Sequence, residues 1–459
     1  MQDLQIYSDN SLKTDLYELT MAAGYFVNKV DTKATFELSC HTMPPNRSYL
    51  VACGLEQIAE YILNLRFQDE HIQFLKTIPA LKGLPKGFFE YLRDFKFTGD
   101  VWAFAEGEVF FAQEPILQIE APIIEAQILE TFLLSTANLQ SVVATKASRI
   151  VQSACSDGVK RGIIDFGSRR AHGVDAGVLA SRASYIAGAL GTSNVCAGKR
   201  FGIPVYGTMA HSWVESFKKE EEAFEKYNNV FPDNTILLVD TYDTIKAVEK
   251  IKTFKFKERI NGVRLDSGDL AALSKQTRKI LDKDKLSHIK IIASGNLNEY
   301  KISELVKNKS PIDLFGVGTD MVTSRDYPTL DLTYKLVQIT QRSGKIEFKA
   351  KKSPQKQTVP GRKQVYRKFS KTGKMEKDTI ALFDEKVPGD LRPLLKPVIQ
   401  GGKLKEPLPS LKGIKGYLQA QLSALEESYF DLAKEKKYKI ELSEGLASIF
   451  AKPSSRGAK

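Results

Sequence analysis

The sequence predicts an α/β protein whose parallel strands all carry their chemistry at one edge. Short apolar runs alternate with helical segments through the middle of the chain: 162–166, 205–208, 236–240, 262–265, 289–293 and 314–317. Small or ionisable residues follow each run at once, as in Gly167-Ser168-Arg169-Arg170, Ala210-His211-Ser212, Asp266-Ser267-Gly268-Asp269, Ser294-Gly295-Asn296 and Gly318-Thr319-Asp320. Parallel strands that end in this way form a barrel or a doubly wound sheet with a single active-site face, and the close spacing of the units favours the barrel.

The segments on either side of this alternation have a different character. Residues 1–130 have an α+β pattern, with helices at 15–26, 55–65 and 70–76 and strands at 34–38, 97–104 and 109–119. Two helices, at 123–135 and 139–153, lead into the alternating region. After residue 334 strands and basic loops return, a terminal helix is predicted at 411–433, and residues 452–459 are expected to fray.

Composition limits the class of protein. The 459 residues are 42% hydrophobic and 27% charged, as in soluble domains. The first ten residues are polar, and charged or amide side chains interrupt the most apolar stretch at 122–134, so neither a secretory signal nor a membrane span is expected. Cys40, Cys53, Cys155 and Cys196 are scattered without metal-ligand spacing, which predicts reduced cysteines in a cytoplasmic protein and no zinc site.

Positive charge is concentrated in one segment, which we call the basic strip. The net charge is +12, and residues 342–377 hold 13 Lys and Arg against two acids. The strip is typical of a solvated lysine-rich hairpin, of a clamp for a polyanion or of a nucleic-acid patch. The last is the weakest interpretation, because the few aromatics (Phe348, Tyr366 and Phe369) are not interleaved with the charges.

Two glycine-containing turns are candidates for phosphate binding. Ser294-Gly295-Asn296 and Gly316-Val317-Gly318-Thr319 follow successive strands and can expose backbone N–H groups, although either could be an ordinary turn. The segment 191–200 is not a Walker A loop, because Arg200 stands where Ser or Thr would bind magnesium. Gly316-Val317-Gly318 lacks the third glycine of a dinucleotide fingerprint.

Ionisable residues cluster at the same strand ends. Asp266 or Ser267 could cap the next helix, or Asp266 and Asp269 could bind magnesium and sugar hydroxyls, with Arg264 on the same strand face for a phosphate. A lone histidine is usually structural. His211, however, shares the predicted face with Arg169 and Arg170 and could act as an acid, a base or a phosphoryl acceptor.

Phe166 and Tyr17 could stack on a planar ring. The residues by themselves therefore predict an enzyme with an anionic, phosphorylated substrate, magnesium and one reactive histidine.

Eight segments can be compared with known families: Thr14-Asp15-Leu16-Tyr17, DFGSRRAHGVDAG from Asp165, GTSN from Gly191, GTMAHSW from Gly207, RLDSGDL from Arg264, ASGNLNE from Ala293, FGVGT from Phe315 and PGRKQVYR from Pro360. In this order, over most of the chain, they closely resemble the nicotinate phosphoribosyltransferases. The resemblance implies a type II phosphoribosyltransferase fold, with an irregular α/β barrel at 131–345 and an α+β sandwich or cap domain from residues 1–130 and 346–459.

The resemblance also implies a reaction and its partners. A homodimer with active sites shared across subunits would join nicotinate to 5-phosphoribosyl-1-diphosphate (PRPP), giving nicotinate mononucleotide and diphosphate. ATP would be hydrolysed as co-substrate, and Mg²⁺ would be bound through the diphosphate. This is the first step of NAD salvage from nicotinic acid, and neither nucleic acid nor membrane is an expected partner.

Carried over by position, His211 would be phosphorylated by ATP, and Phe166 with Tyr17 of the partner subunit would sandwich the pyridine ring. Arg169 would make the surroundings of the ring positive. Arg264 would bind a phosphate, and Asp266 and Asp269 would bind the ribose hydroxyls and Mg-diphosphate. The remaining implied residues are Ser294, Gly295, Asn296, Gly316, Gly318 and Thr319 at the 5′-phosphate, and Arg362 and Lys363, with Arg367, as a clamp over ATP or diphosphate.

Ser193 bears on the choice of substrate. In related nicotinamide-using enzymes an aspartate stands at this position, where a carboxylate would repel nicotinate; serine can donate to it instead. We therefore expect acid rather than amide as substrate, with nicotinamide or quinolinate transfer as the alternative within enzymes. A basic nucleic-acid-binding protein is the remote alternative, and it leaves the strand-end residues unexplained.

Overall fold

The computed structural model describes residues 10–353 and 356–451. The chain divides into two compact units, the first formed by Met1–Val142 with Thr329–Lys459 and the second by Val143–Pro328. The sequence predicts the boundaries at residues 130 and 345.

The N-terminal part of the first unit packs helices beside antiparallel strands. Its elements are α1 (Leu16–Val27), β1 (Thr32–Cys40), β2 (Leu50–Val51), α2 (Leu55–Asn64), α3 (Asp69–Leu75), α4 (Lys86–Arg93), β3 (Asp100–Ala103), β4 (Val109–Phe110), β5 (Pro115–Pro122) and α5 (Ile123–Gln127). The single strand predicted at 109–119 is wrong. Gln113 has a φ of +71°, which interrupts the extended backbone between β4 and β5.

Helix α6 (Glu130–Ala154) is one continuous helix of 25 residues. The two helices predicted at 123–135 and 139–153 are therefore wrong. No glycine or proline lies between Ser135 and Leu139, so nothing in the backbone breaks the helix there. The break comes earlier, between α5 and α6.

The second unit alternates strands and helices, as predicted. Its elements are β6 (Gly162–Asp165), α7 (Val174–Ile186), β7 (Gly191–Thr192), α8 (Val195–Phe201), α9 (His211–Glu215), α10 (Glu220–Val230), β8 (Thr235–Leu238), α11 (Thr244–Lys250), β9 (Ile260–Leu265), α12 (Leu270–Lys283), β10 (Lys290–Ala293), α13 (Glu299–Lys307), β11 (Leu314–Val317) and α14 (Thr319–Thr323). Short 3-10 turns lie at Ser168–Arg170, Ile251–Thr253 and Lys257–Arg259.

The strands of the second unit form one parallel sheet in the order β7-β6-β11-β10-β9-β8. Their bodies bury apolar side chains such as Ile163, Val263, Ile291 and Phe315, each at most 1% exposed. The protein is therefore a mixed α/β protein, and the carboxyl ends of six parallel strands meet at one edge of this sheet.

The strand predicted at 205–208 is wrong. Val205 makes a single parallel bridge to Thr192, and the place beside β6 is taken by the short strand β7. Pro204 has no N–H to donate to a ladder, which limits the pairing to its carbonyl, accepting from Thr192, and to the N–H of Tyr206. The segment after Tyr206 leaves the sheet and leads to α9.

The C-terminal part of the first unit is rich in strands. Its elements are β12 (Leu332–Gln341), β13 (Ile346–Phe348), β14 (Lys352–Ser353), β15 (Lys356–Gln357), β16 (Lys363–Phe369), β17 (Met375–Leu382), β18 (Arg392–Pro393), β19 (Lys396–Gln400), β20 (Lys403–Leu404), α15 (Leu411–Ala424), a 3-10 turn (Glu427–Phe430), β21 (Ile440–Leu442) and α16 (Glu444–Ala451). Both halves share a seven-stranded sheet, β13-β12-β1-β5-β3-β19-β20, and a second sheet has the order β18-β16-β17-β21.

The helix predicted at 411–433 is shorter than expected. Helix α15 ends at Ala424 because Leu425 is extended, and the following turn buries Tyr429 near Phe111. It is not the terminal helix, since α16 follows it. The predicted tail at 452–459 lies outside the described residues.

Candidate active site

A cavity of about 490 Å³ opens at the carboxyl edge of the parallel sheet in the second unit. The turns after β6, β7, β9, β10 and β11 and the segment before α9 supply its walls. The lining residues are Phe166, Ser168, Arg169, Arg170, Ser193, Gly207, Thr208, Met209, Ala210, Arg264, Asp266, Ser294, Gly295, Asn296, Gly316, Gly318 and Thr319. Most of the residues singled out in the sequence thus lie around one space.

Phe166 forms part of the wall at the end of β6. A side chain at Gly316 in the neighbouring strand β11 would come within 2.5 Å of its ring, so the glycine leaves room for the phenyl group. Arg169 and Arg170 lie in the 3-10 turn just beyond and line the same cavity. An aromatic face beside guanidinium groups suits a planar, negatively charged ring.

The turn after β10 has the backbone of an anion nest. Gly295 and Asn296 have φ values of +94° and +48°. A Cβ at Gly295 would stand 1.8 Å from the carbonyl oxygen of Asp266, so glycine is required there. In the part of the chain that the structure describes, the N–H groups of Gly295 and Asn296 donate no hydrogen bond, which leaves both for an anion.

Asp266 is the polar centre of the cavity. Its carboxylate accepts a hydrogen bond from Ser294 Oγ at 2.5 Å and lies 3.9 Å from His211 Nε2 and 4.0 Å from Arg264 Nη2. Sequence reasoning missed Asp240, whose Oδ2 accepts from the Asp266 N–H at 3.1 Å. Asp240 sits just beyond β8, and its position at a strand end was the signal that could have identified it.

His211 begins α9, and its side chain is partly exposed. Its Nδ1 lies 3.1 Å from Thr241 Oγ1, a second partner that the sequence did not reveal. Since the two ring nitrogens face a hydroxyl and a carboxylate, the ring is held in place beside the cavity.

Arg264 is mostly buried and donates to the Thr208 hydroxyl. Burial lowers the pKa of its guanidinium, and Asp266 and Asp240 oppose that shift. Among the described residues, its Nε is buried without a hydrogen-bond partner. An anion placed in the cavity would supply the missing acceptor.

Ser193 lines the cavity from the turn after β7. Its backbone N–H donates to the Asp165 carbonyl at 2.8 Å. This contact fixes the turn, so the structure brings Ser193 and Phe166 to the same cavity.

Asp269 has a different place from Asp266. It is the N-cap of α12 and accepts a hydrogen bond from the Ala272 N–H at 3.0 Å. The capping residue is therefore Asp269, and the alternative in which Asp266 or Ser267 caps this helix is wrong. Asp269 is exposed, and it is not among the residues that line the cavity.

Tyr17 lies in the first unit, on α1, and is 43% exposed. Its hydroxyl is hydrogen-bonded to Glu130, and burial together with that carboxylate raises its pKa. Leu16 and Met21 on the same helix are also exposed. Its expected role at the pyridine ring stays a prediction.

Arg362 and Lys363 also belong to the first unit, where both have partners. Arg362 pairs with Glu120 at 3.2 Å and stacks over the Phe383 ring at 3.7 Å. Lys363 is 1% exposed and pairs with Glu37 at 2.7 Å. These contacts give Arg362 and Lys363 structural roles. Their role as a clamp over ATP or diphosphate stays a prediction.

Other cations of the basic strip are paired as well. Lys368 contacts Glu376, Lys377 contacts Glu441, and Lys349 contacts Glu347, at distances between 2.5 and 2.9 Å. Arg367 is buried between Asp378 and Glu108. The strip is therefore less free to meet a polyanion than its sequence indicates.

Metal ligands are sparse around the cavity. Within the described ranges, no three His, Cys, Asp or Glu side chains gather as they would at a protein-only metal site. The Asp266 carboxylate at the cavity wall nevertheless fits Mg²⁺, which commonly takes one or two protein carboxylates together with substrate phosphates. Across the described helices, none is long and apolar enough to cross a membrane.

Comparison with known proteins agrees with this geometry. Residues 12–138 match the nicotinate phosphoribosyltransferase N-terminal domain, 162–374 the nicotinate phosphoribosyltransferase (NAPRTase) family and 387–450 its C-terminal domain. A nicotinate phosphoribosyltransferase of Mycobacterium tuberculosis is 44% identical over 420 residues, covering 90% of this chain and 87% of its own. That of Bacillus subtilis is 40% identical over 463 residues, covering 95% and 93%.

A solved structure extends the agreement to the fold. The crystal structure of human nicotinic acid phosphoribosyltransferase matches with a TM-score of 0.82 at 28% identity, covering 95% of this chain and 99% of its own. Sequence and fold thus agree over nearly the same residues that build the two units and the cavity, and the chain belongs to the nicotinate phosphoribosyltransferase family.

Proposed function

We propose that this protein is a nicotinate phosphoribosyltransferase that converts nicotinate, PRPP, ATP and water to nicotinate mononucleotide, diphosphate, ADP and phosphate. This is the first step of NAD salvage from nicotinic acid. The observation that carries the proposal is the one cavity wall that joins an anion nest at Gly295, the Asp266 carboxylate and the Phe166 ring, in a chain of this family.

The three groups match the three parts of the reacting pair. The free N–H groups of Gly295 and Asn296, with the turn at Gly318 and Thr319, would bind the 5′-phosphate, with Ser294 and Gly316 beside them. Asp266 would accept hydrogen bonds from the ribose hydroxyls. Phe166 would stack on the pyridine ring.

The chemistry is a substitution at the anomeric carbon of PRPP. The pyridine nitrogen forms a bond to C1 while the bond from C1 to the diphosphate oxygen breaks, and the electron pair leaves with the diphosphate. Positive charge develops on the ribose, so the Asp266 carboxylate stabilises it, while Arg264 and Arg169 stabilise the departing anion. Mg²⁺ would be held through the diphosphate and Asp266, with Asp269 nearby in the sequence. The ion would neutralise part of the negative charge on the departing diphosphate.

His211 provides a place for ATP to act. Its ring would accept the γ-phosphoryl group, ADP would leave, and water would later release phosphate from the histidine. The Thr241 hydroxyl at Nδ1 and the Asp266 carboxylate near Nε2 orient the ring for this role. Coupling in this way would drive a step that is otherwise poorly favourable.

The larger organisation proposed for the enzyme follows the family resemblance. The second unit would be an irregular α/β barrel and the first an α+β sandwich. The enzyme would work in the cytoplasm as a homodimer in which Tyr17 of the partner subunit completes the ring site. The exposed position of Tyr17 on α1 supports this arrangement.

Product formation tests the function. Nicotinate, nicotinamide and quinolinate are each incubated with PRPP and Mg-ATP, and nucleotides are separated by chromatography. We expect nicotinate mononucleotide from nicotinate alone, faster with ATP, and loss of the ATP effect in His211→Ala. A nucleotide from nicotinamide or quinolinate instead would reassign the substrate, and no nucleotide from any base would refute the proposal.

Subunit mixing tests the shared site. Tyr17→Ala and His211→Ala are each expected to have low activity as homodimers. If Tyr17 serves the partner subunit, a mixed dimer contains one site with neither substitution, and unfolding and refolding the two variants together restores part of the activity. No recovery in mixtures shown to exchange subunits would contradict the shared site.

A further inference from the structure

We propose that Asp165 is a positioning residue for nicotinate: it ties together the two turns that carry Phe166 and Ser193 without itself lining the cavity. The inference rests on the proposed function and deepens it, because it concerns how the base end of the same site is held. Asp165 is completely buried at the end of β6 and is not among the lining residues.

The carboxylate of Asp165 reaches three separate segments. Its Oδ1 accepts from the Gly167 N–H at 2.8 Å, which holds the turn that carries Phe166. Its Oδ2 accepts from Ser181 Oγ on α7 and from Thr192 Oγ1 on β7, each at 2.7 Å. One side chain therefore joins strand, helix and neighbouring strand at the point where two walls of the cavity begin.

The connection closes into a ring of hydrogen bonds. Thr192 Oγ1 accepts from the Asn194 N–H at 3.0 Å, and Asn194 Nδ2 donates to Ser168 Oγ at 3.0 Å. Ser168 belongs to the turn that Asp165 holds at its other end, through Gly167. Ser193 lies between Thr192 and Asn194, two members of this ring, and its own N–H donates to the Asp165 carbonyl.

Burial of the Asp165 carboxyl group costs free energy of folding. A carboxyl group with no exposure loses hydration, and burial raises its pKa while the three hydrogen bonds oppose that shift. An apolar residue would fill the same place without that cost but could not fix the separation of Phe166 and Ser193. Preorganised positions for ring and carboxylate reduce the ordering that substrate binding must otherwise supply.

The phosphate end of the cavity is held by other contacts. Lys301 Nζ donates to the Asn296 carbonyl at 2.9 Å. The next residues along α13 are anchored by Lys146 and Arg149, which both pair with Glu299. Loss of Asp165 should therefore disturb nicotinate binding more than PRPP binding.

The test compares Michaelis constants (KM) in the full-length enzyme. We expect Asp165→Ala to raise the nicotinate KM by about tenfold or more, as an ångström-scale misplacement of binding groups does, and to leave the PRPP KM within about twofold. Asp165→Asn retains one oxygen for the Gly167 N–H and should recover part of the loss. A purely structural role would lower activity through stability and would not separate the two constants.

A matched pair on α7 keeps the inference testable if Asp165→Ala fails to fold. Ser181→Ala removes a buried hydroxyl that lies 2.7 Å from Asp165 Oδ2 and 2.9 Å from the Gly177 carbonyl of its own helix, whereas Ser184→Ala removes a buried hydroxyl that donates to the Ala180 carbonyl of the same helix. The two serines thus share the helix contact and differ in the contact with Asp165. We expect a severalfold rise in nicotinate KM for the first and none for the second. The wild-type enzyme is assayed alongside, so an inactive wild type refutes the proposed function and this inference with it.

With an active wild type, two outcomes overturn the inference alone. One is an unchanged nicotinate KM in both Ser181→Ala and Asp165→Asn. The other is an equal rise in the nicotinate and PRPP constants.

Discussion

Replacement of Gly295 by alanine tests the anion nest directly. The new Cβ would lie 1.8 Å from the Asp266 carbonyl oxygen, and φ at this residue is +94°. Ordinary contact begins near 3.4 Å, so the two backbone segments must separate by about 1.6 Å. Neither group is the end of a flexible side chain, and the displacement therefore falls on the turn and on Asp266.

Two costs follow from that geometry. The left-handed backbone costs about 1–2 kcal/mol for alanine, and the forced displacement brings the expected loss of unfolding free energy to about 2–4 kcal/mol. A shift of about 1 Å in groups that bind the substrate lowers kcat/KM for PRPP by about 100-fold. Urea unfolding measures the first effect and steady-state kinetics the second.

Two other glycines separate the contributions. Gly202 has a φ of +66° with open space around it, so Gly202→Ala should cost about 1 kcal/mol and leave the PRPP constants unchanged. Gly207 lines the cavity with no positive φ and nothing within 4 Å, so Gly207→Ala should be nearly silent in stability. If Gly295→Ala left the PRPP constants unchanged, as Gly202→Ala should, the nest would not bind the phosphate.

Three further changes follow from single side chains. Ser193→Asp adds a carboxylate to the cavity wall and should raise the nicotinate KM by about 10–100-fold through repulsion, since the charges would meet at the intermediate dielectric of a partly exposed site; unchanged kinetics would refute the substrate assignment. Lys363→Met leaves Glu37 buried without its cation, so urea unfolding should show a loss of about 3–5 kcal/mol, whereas the clamp hypothesis expects higher KM values for ATP and PRPP at normal stability. Burial raises the pKa of Glu220 to about 6, above its unfolded value, so the charged form destabilises the fold above that pH. Glu220→Gln should therefore stabilise the protein by about 1 kcal/mol at pH 8 and by nothing at pH 4, and an equal effect at both would contradict the assigned cause.

The sequence predicted the carboxyl edge of the parallel sheet well because its signals are local. An apolar run that stops at glycine, serine or a charged residue indicates both a buried strand and the turn after it. Strand β11, for example, has the predicted bounds, Leu314–Val317. Since parallel strands present their carboxyl ends together, residues from distant motifs could be assigned to one cavity before the structure was known.

The sequence failed where a partner lies far along the chain. One interpretation of the basic strip was a solvated hairpin, yet Lys363 and Arg367 are buried and pair with Glu37 in β1 and with Glu108 just before β4. Asp240 and Thr241 were not assigned to the site because what places them there is contact with Asp266 and His211 on neighbouring elements. Helix capping by Asp269 was missed because several adjacent polar residues fit the same pattern.

The two ends of the cavity are built on different physical principles, and this difference bears on specificity. The proposed phosphate end offers backbone N–H groups in a turn that requires glycine at position 295, so it would recognise charge and shape with few side chains. The proposed base end would rely on Phe166 and Ser193, whose turns are both hydrogen-bonded to the buried Asp165 carboxylate. On this proposal, a change of base preference would require substitutions at Ser193 or in the Asp165 ring and could leave the turn at Gly295 untouched. Selection for use of a different pyridine should accordingly enrich substitutions at Ser193 and in the Asp165 ring, and none in the turn at Gly295.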